Sequence, residues 1–200
     1  EALAEALNEE MALQPNMIVI GEDVLPGGGT FGVCQGLGEK FPNRIFESPI
    51  SEASIVGVAL GAALTGGPAV AEIMYSDFMT VCMDEIVNQA AKNRFMFGGQ
   101  GRVPMVVRMP IGIWDASAAQ HSQSLESWFA HLPGVVVVCP ATPQDNYSML
   151  RAALASGDPV VYMEHKTLWG LSGEVDPAHT ATLGQAHTLR AGQRVTLVSW

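Results

Sequence analysis

A glutamate at the head of a helix built from small, uncharged residues is the first group in this chain whose setting could support chemistry. In Glu47-Ser-Pro-Ile-Ser-Glu52, Pro49 keeps Ser48 extended, Ser51 stands where it can cap, and Glu52 falls in the first helical turn. A carboxylate there also matches the helix dipole with no chemistry at all. The helix behind it opens a second possibility. Ala53, Gly57 and Gly61 stand four apart, so the helix carries a flat strip that either packs on its own sheet or lets another backbone approach. A carboxylate drawn into a dry interface must find a partner or keep its proton, which suits it to acid–base work.

A second candidate is His121 in Ala118-Ala-Gln-His-Ser-Gln123. Residues 110–122 show little helical or strand period, and long irregular loops in compact domains often carry function. A histidine there can donate or accept a proton near neutral pH, or simply face water. Tyr75-Ser-Asp-Phe78 comes after an apolar run and opens a helix, with Phe78 placed to stack on a flat ring or to join the core. His131, behind Trp128 and Phe129, is expected to pack, while His165, His179 and His187 fit no pattern. No pair of histidines has metal-ligand spacing, so zinc is not expected. Gly27-Gly-Gly-Thr-Phe-Gly32 matches GxGxxG, with Glu47 twenty residues beyond its start. It reads as a loop, not a dinucleotide fingerprint, because Glu22 to Pro26 separate it from the preceding strand. Gly32, Gly36 and Gly38 would each weaken the helix it needs by up to about 1 kcal/mol. The GxSxG, P-loop and HExxH patterns are absent, which leaves hydrolase, nucleotide kinase and zinc peptidase without support.

The elements that must position these groups show as short apolar runs alternating with helical periods. Leu3, Leu7 and Met11 recur every four residues on an amphipathic first helix, and strands are expected at 17–20, 44–46, 69–73, 105–108, 135–138 and 160–163. Helices fall between them, near 52–65, 77–96, 123–131 and 143–155. Strands apolar on both faces, separated by helices, predict an α/β fold of three layers, αβα, around a mostly parallel sheet. Ligands in such sheets bind at the carboxyl ends of strands, which points to the loops after Ile20, Phe46, Ile73 and Met109. Ala53 to Ala71 carries no charge. Gly66-Gly67-Pro68 divides that run into a helix and a strand, each too short to cross a bilayer. Beyond residue 168 the pattern thins to a linker over 169–193, and Arg194-Val-Thr-Leu-Val-Ser-Trp200 reads as the first strand of a further domain.

The 200 residues carry 20 acidic and 10 basic side chains, a net charge of −10, and are 48% apolar but only 15% charged. Soluble domains average about 25% charged, so either the core is very large or another chain covers part of the surface. A chain of this length buries roughly 70% of its unfolded surface and needs no disulfide or metal staple. The acidic balance leaves no basic patch for phosphates, which argues against nucleic acid and against anionic membrane surface as partners. Cys34, Cys82 and Cys139 lie far apart and read as reduced, buried small hydrophobes of a reducing compartment. The acidic N-terminus lacks the order of a signal peptide.

Ile20-Gly-Glu-Asp-Val24, Ser48-Pro-Ile-Ser-Glu-Ala53, Gly57-Val-Ala-Leu-Gly-Ala62, Ala119-Gln-His-Ser-Gln123 and Pro140-Ala-Thr-Pro143 occur in this order and spacing. Together they closely resemble the β subunit of the thiamine-diphosphate-dependent 2-oxo acid dehydrogenase first component, the family of the pyruvate, branched-chain 2-oxo acid and acetoin dehydrogenases. The resemblance runs from residue 1 to about 170. It implies a transketolase-like pyrimidine-binding domain over 1–168, working in an α2β2 heterotetramer with thiamine diphosphate bound between α and β. Glu52 matches the family's glutamate on the aminopyrimidine ring nitrogen and Phe78 its stacking aromatic. Ile50 lies beside the cofactor, and Glu22 is near the same pocket. His121 matches the loop histidine that handles protons around substrate and lipoyl arm. A potassium ion held mostly by main-chain carbonyls would involve Met105, Ala153, Leu154, Ser156 and Asp158, with Ser156 departing from the acidic residue common there.

The GDG…N signature that holds magnesium and diphosphate in this class is missing here, so the resemblance implies that α holds Mg2+ and that this chain alone is inactive. The implied partners are the α subunit, a lipoyl-bearing acyltransferase and a small-molecule 2-oxo acid, in a bacterial cytoplasm or a mitochondrial matrix. A one-chain relative such as transketolase or deoxyxylulose phosphate synthase shares the architecture, and a noncatalytic scaffold assembled through the glycine strip is the remaining alternative.

Overall fold

The Val- and Ile-rich runs become strands, fully buried in the middle of the sheet because helices cover both of its faces and partly exposed at its two edges. The computed structural model describes residues 1–199. In it β1 (Ile18–Gly21), β2 (Ile45–Glu47), β3 (Ala69–Glu72), β4 (Met105–Ile111), β5 (Val136–Val138) and β6 (Val160–His165) pair in parallel, in the order β2-β1-β3-β4-β6-β5. Alternate strand residues face opposite layers. Val19, Val70, Val106, Val160 and Tyr162 pack with α1 (Ala2–Leu13) and α6 (Pro143–Ala155). Ile20, Ala71, Val107, Met109, Val161 and Met163 face α3 (Glu52–Thr65) and residues 76–96. The expected three-layer αβα architecture is therefore present.

Helix ends obey local chemistry. α6 opens with a capping box in which Asp145 N donates to Thr142 Oγ1 at 3.1 Å and Thr142 N donates to Asp145 Oδ2 at 3.0 Å, with Pro143 in the first turn. Arg151 ties α6 to α1, donating from Nε to Glu10 at 3.0 Å. The region 77–96, expected as one helix, is a 3-10 segment (Ser76–Cys82), a π segment (Glu85–Ala90) and α4 (Ala91–Met96). Met79, Cys82, Ile86 and Ala90 stay buried throughout, so the apolar spacing persists while the hydrogen-bond register shifts. The helix expected at 123–131 shortens to α5 (Glu126–Ala130). β4 runs on through Pro110, which lies beyond the last β3 pairing at Arg108 and so lacks no hydrogen bond on that side.

The GxGxxG match forms turns, as expected of a loop. Gly28, Gly29 and Gly32 have positive φ, and the one helix nearby is the short α2 (Leu37–Lys40). A Cβ on Gly28 would stand 2.4 Å from the Gln35 Cα, so this position admits no side chain. The uncharged run 53–71 divides into α3 and β3, and no helix among the described residues is long and apolar enough to cross a membrane. Residues 171–199 carry neither helix nor strand. The strand expected at 194–200 is not formed over 194–199, since a lone strand has no ladder to join, and Trp200 lies outside the described residues.

Candidate functional site

The chain leaves β1 for β2 on one side and reaches β3 on the other, which opens a crevice at the carboxyl ends of β1 and β3. Glu22 lies just past β1, Glu52 past β2, and Tyr75 to Phe78 past β3. Glu47 shapes the first of these loops, accepting from Asp23 N at 2.6 Å and Leu25 N at 3.0 Å. Its sequence position marks it merely as the companion of the GxGxxG match. Burial, joined by the charges of Asp23, Glu52 and Glu47, pushes the Glu22 carboxyl above the usual carboxylate range. Glu22 and Glu52 therefore share one acidic neighbourhood.

Glu52 opens α3 and is 9% exposed, and its carboxylate makes no hydrogen bond or ion pair among the described residues. Ser51, expected to cap, donates to Ser54 Oγ at 2.9 Å, so α3 has no side-chain cap. Burial, then the charges of Glu85 and Glu52, raises the Cys82 thiol to about 12, which puts Glu52 in electrostatic reach of the 3-10 segment. Ile50 is 75% exposed. Cys34 and Cys139 are likewise pushed up by burial, Cys139 to about 11, and all three cysteines are free thiols.

The loop after β4 brings His121 to Phe78. Gly112, at φ 80° where a Cβ would meet the His165 ring, begins the loop, and Gly112 N donates to Gln123 O at 2.9 Å to close its neck. Gln123 Nε2 donates to Asp77 Oδ1 at 2.8 Å and Ser76 Oγ donates to Gln123 O at 3.1 Å, which lays the short 3-10 turn Ala119–His121 against residues 75–78. The His121 ring centre lies 4.7 Å from that of Tyr75 and 5.4 Å from that of Phe78, edge-on to both. These contacts leave His121 half-buried, with its ring against Tyr75 and Phe78 and part of it open to water. Beneath them the buried Lys166 Nζ donates to the His121 carbonyl oxygen and lies 4.7 Å from the Tyr75 ring centre. Burial pulls this ammonium below the usual lysine range, against the charge of Asp77. Phe31, from the glycine-rich loop, reaches the same edge, 5.8 Å from Tyr75 and 4.6 Å from Trp169.

A buried charge cluster underlies the crevice on the α1/α6 face. Parallel register sets Glu72 beside Arg108, and Glu164 comes from β6 on the other side. Arg108 pairs with both carboxylates. Burial raises the Glu72 carboxyl, opposed by Arg108. Burial also works against the Arg108 charge, but Glu164 and Glu72 outweigh it and keep the guanidinium protonated. Sequence reading misses Lys166, Arg108, Glu47 and the packing of Tyr75. The available signal is a charged residue at the carboxyl end of an apolar run, seen at Glu72, Arg108, Glu164 and Lys166 alike.

Of the residues named for a cation, Ala153, Ser156 and Asp158 come together: Ser156 Oγ donates to Ala153 O at 2.8 Å and to Asp158 O at 3.2 Å. The Asp158 carboxylate pairs with Arg94, and the side chains of Met105 and Leu154 are in the core. His131 does not pack; it is exposed at the end of α5, and Phe129 takes the buried position. Among the described residues no three His, Cys, Asp or Glu are grouped to hold a metal.

The glycine strip of α3 does not face the sheet. A Cβ on Gly61 would meet nothing within 4 Å, and one on Gly57 would just reach Glu85 Cγ at 4.0 Å. Val58 and Leu64 on the same helix are 51% and 44% exposed, and Val81 in the adjoining 3-10 segment is 56% exposed. Ala53 packs against the core, whereas Gly61 with Val58 and Leu64 forms an outward, uncharged apolar surface.

Residues 1–170 match the family model described as "Transketolase, pyrimidine binding domain". The chain is 44% identical over 210 residues to the acetoin:2,6-dichlorophenolindophenol oxidoreductase subunit beta of Cupriavidus necator, covering 100% of this chain and 62% of that protein. It is 39% identical over 202 residues to the pyruvate dehydrogenase E1 component subunit beta of Rickettsia felis, covering 100% of this chain and 62% of that protein. The mitochondrial pyruvate dehydrogenase E1 component subunit beta-2 of Oryza sativa is 39% identical over 206 residues, with 100% and 55% covered. The chain thus spans less than two thirds of the length of these curated relatives. A solved split-gene transketolase, described as an inactive beta4 tetramer, matches with a TM-score of 0.73 at 19% identity over 90% of this chain and 54% of that one. That likeness bears out the transketolase-like fold.

Proposed function

Because the chain belongs to the transketolase pyrimidine-binding-domain family, we propose that it is the β-subunit portion of a thiamine-diphosphate-dependent 2-oxo acid dehydrogenase. In this role it takes part in decarboxylating a 2-oxo acid, pyruvate or a branched-chain analogue, and in passing the acyl group to the lipoyl arm of an acyltransferase. The observation that carries this is Glu52 at the switch point of the sheet, a residue only 9% exposed whose carboxylate makes no hydrogen bond or ion pair among the described residues, at the same sheet edge as the Phe78–His121 pair. A flat aminopyrimidine needs a carboxyl for its ring nitrogen and an apolar platform for its face, and this set of residues fits that need. Thiamine diphosphate, when bound, supplies the carbon nucleophile and the electron sink.

The chain's own residues do the rest. With the cofactor bound, Glu52 would hold a proton at the pyrimidine nitrogen, Phe78 would stack on the ring, and Ile50 and Glu22 would border it. His121 gives or takes a proton at the substrate or lipoyl group, a task that suits an imidazole near neutral pH. The outward α3 surface is where the α subunit of an α2β2 heterotetramer covers this chain, bringing Mg2+ and the diphosphate site with it. A potassium ion held by Met105, Ala153, Leu154, Ser156 and Asp158 would have to displace the Ser156 hydroxyl, on which the Ala153 and Asp158 carbonyls converge, and would brace the end of α6. Residues 1–168 make up the pyrimidine domain, 169–193 a linker, and 194–200 the start of a further domain. Relatives include bacterial and mitochondrial proteins, which supports a bacterial cytoplasm or a mitochondrial matrix.

Acetoin is a second substrate reading. It is favoured by the 44% and 41% identity to subunits named for acetoin, against 37–40% for those named for pyruvate. One experiment tests the proposal: coexpression of wild type and Glu52→Gln with the α subunit, assayed on pyruvate, branched 2-oxo acids and acetoin in parallel. Glu52→Gln assembles normally and loses at least about a hundredfold in cofactor-dependent turnover, the scale of acid–base catalysis. Near-normal activity would refute the role of Glu52.

A further inference from the structure

Lys166 is a buried cation that the proposed chemistry does not use. It is 2% exposed at the first position after β6, and lysine is almost never fully buried without a partner. Its ammonium donates to the His121 carbonyl oxygen and lies over the Tyr75 ring, an attraction of cation for π face. Asp77 supplies the compensating charge while its own Oδ1 accepts from Gln123 at 2.8 Å. Three strand exits meet at this one group: that of β3 through Tyr75 and Asp77, that of β4 through His121, and that of β6 through Lys166 itself.

The His121 loop needs such a fastening. Asp115, Ala116 and Ala118 adopt φ of 43°, 51° and 64°, a left-handed conformation that residues with a Cβ resist. The bonds from Ser117 to Trp114 O and from His121 N to Ala118 O stay within the loop, whose outside ties are the Trp114 ring against Phe31 and Trp169, the His121 ring against Tyr75 and Phe78, and Gln123 at its neck. The Lys166 bond reaches the loop from another element, and it lands on the histidine itself.

We propose that Lys166 is the positioning residue for His121, fixing the imidazole against Phe78 by holding the His121 carbonyl beneath the Tyr75 ring. This rests on the role proposed above for His121. Lys166 stays out of contact with substrate: its nitrogen is covered by Tyr75 and acts through the loop backbone. A displacement of about 1 Å at a reacting group can lower a rate by about a hundredfold, so loss of one fastening is enough to be measured.

The test uses the full-length protein assembled with its α subunit. Lys166→Met keeps the apolar stem and donates nothing, whereas Lys166→Arg keeps charge and donors. Lys166→Met should lower kcat for acyl transfer to the lipoyl group by about ten- to a hundredfold with a smaller change in KM, and Lys166→Arg should recover most of it. The double variant with His121→Ala should be no slower than His121→Ala alone, since the two residues act through one group. A wild-type rate in Lys166→Met, or losses that simply add in the double variant, would overturn the proposal. Hydrogen exchange reads the same contact without turnover: residues 113–121 exchange faster in Lys166→Met while α1 and α6 do not, and unchanged protection of 113–121 overturns it. If the wild-type complex shows no thiamine-diphosphate-dependent reaction, the proposed function fails, and the exchange result still judges Lys166.

Discussion

Replacing Arg108 by Met would strand two carboxylates inside the protein. The Arg108, Glu72 and Glu164 side chains are 4%, 12% and 6% exposed, and both acids pair with the one guanidinium. Removing one partner of a buried ion pair costs about 3–5 kcal/mol, because the charge left behind has nothing to balance it. Against a typical domain stability of about 5–15 kcal/mol, that is a large share. The loss also carries a pH signature. Burial already holds the Glu72 carboxyl above its ordinary value, with Arg108 opposing, and without Arg108 it rises further. A carboxyl whose folded value exceeds its unfolded one takes up a proton on folding, so its favourable contribution is complete below about pH 4 and is lost as pH rises through the folded value. The destabilisation of Arg108→Met is therefore greatest at about pH 8 and shrinks toward about pH 5. Denaturant unfolding of wild type and variant at both pH values measures it, and adding Glu72→Gln to Arg108→Met recovers part of the loss at the higher pH. A pH-independent loss below about 1 kcal/mol would show that the three charges are not assembled as described.

His121→Ala in the assembled protein should slow acyl transfer to the lipoyl group by at least about a hundredfold while leaving cofactor affinity near normal; steady-state kinetics with the lipoyl acceptor checks this. Gly61→Leu should leave the fold of this chain intact, because a Cβ there meets nothing within 4 Å. It should nevertheless block association with the α subunit in size-exclusion chromatography of the coexpressed pair, and normal assembly would remove the α3 strip from the interface.

Much of the fold is legible in the sequence because parallel sheets bury both faces, so that runs such as Val135 to Val138 and Val160 to Met163 announce themselves. The candidate site is legible in part, through Glu52 at a helix start and His121 in an aperiodic loop. Other features depend on contacts that no local pattern records. Glu72, Arg108 and Glu164 look unrelated along the chain, and parallel register is what aligns them. Lys166 reads as an ordinary charged residue after a strand until the β4 loop folds over it. The 3-10 and π segments at 76–90 keep helical apolar spacing, which is why periodicity alone returns a single helix there. The aromatic neighbours of His131 suggest a place inside, yet the short α5 turns it to water.

The outward apolar surface of α3 has a consequence for supply. Alone, this chain shows Val58, Leu64 and Val81 to solvent, together with Phe95, Met96 and Phe97 at the end of α4, each at least 44% exposed. Exposed apolar patches of this kind are what chaperones and proteases engage on incomplete assemblies. In the assembly proposed above, copies made in excess of the covering subunit would then be the ones removed, so the side chains that seat a partner would also keep count of it, matching the lifetime of one polypeptide to the abundance of another.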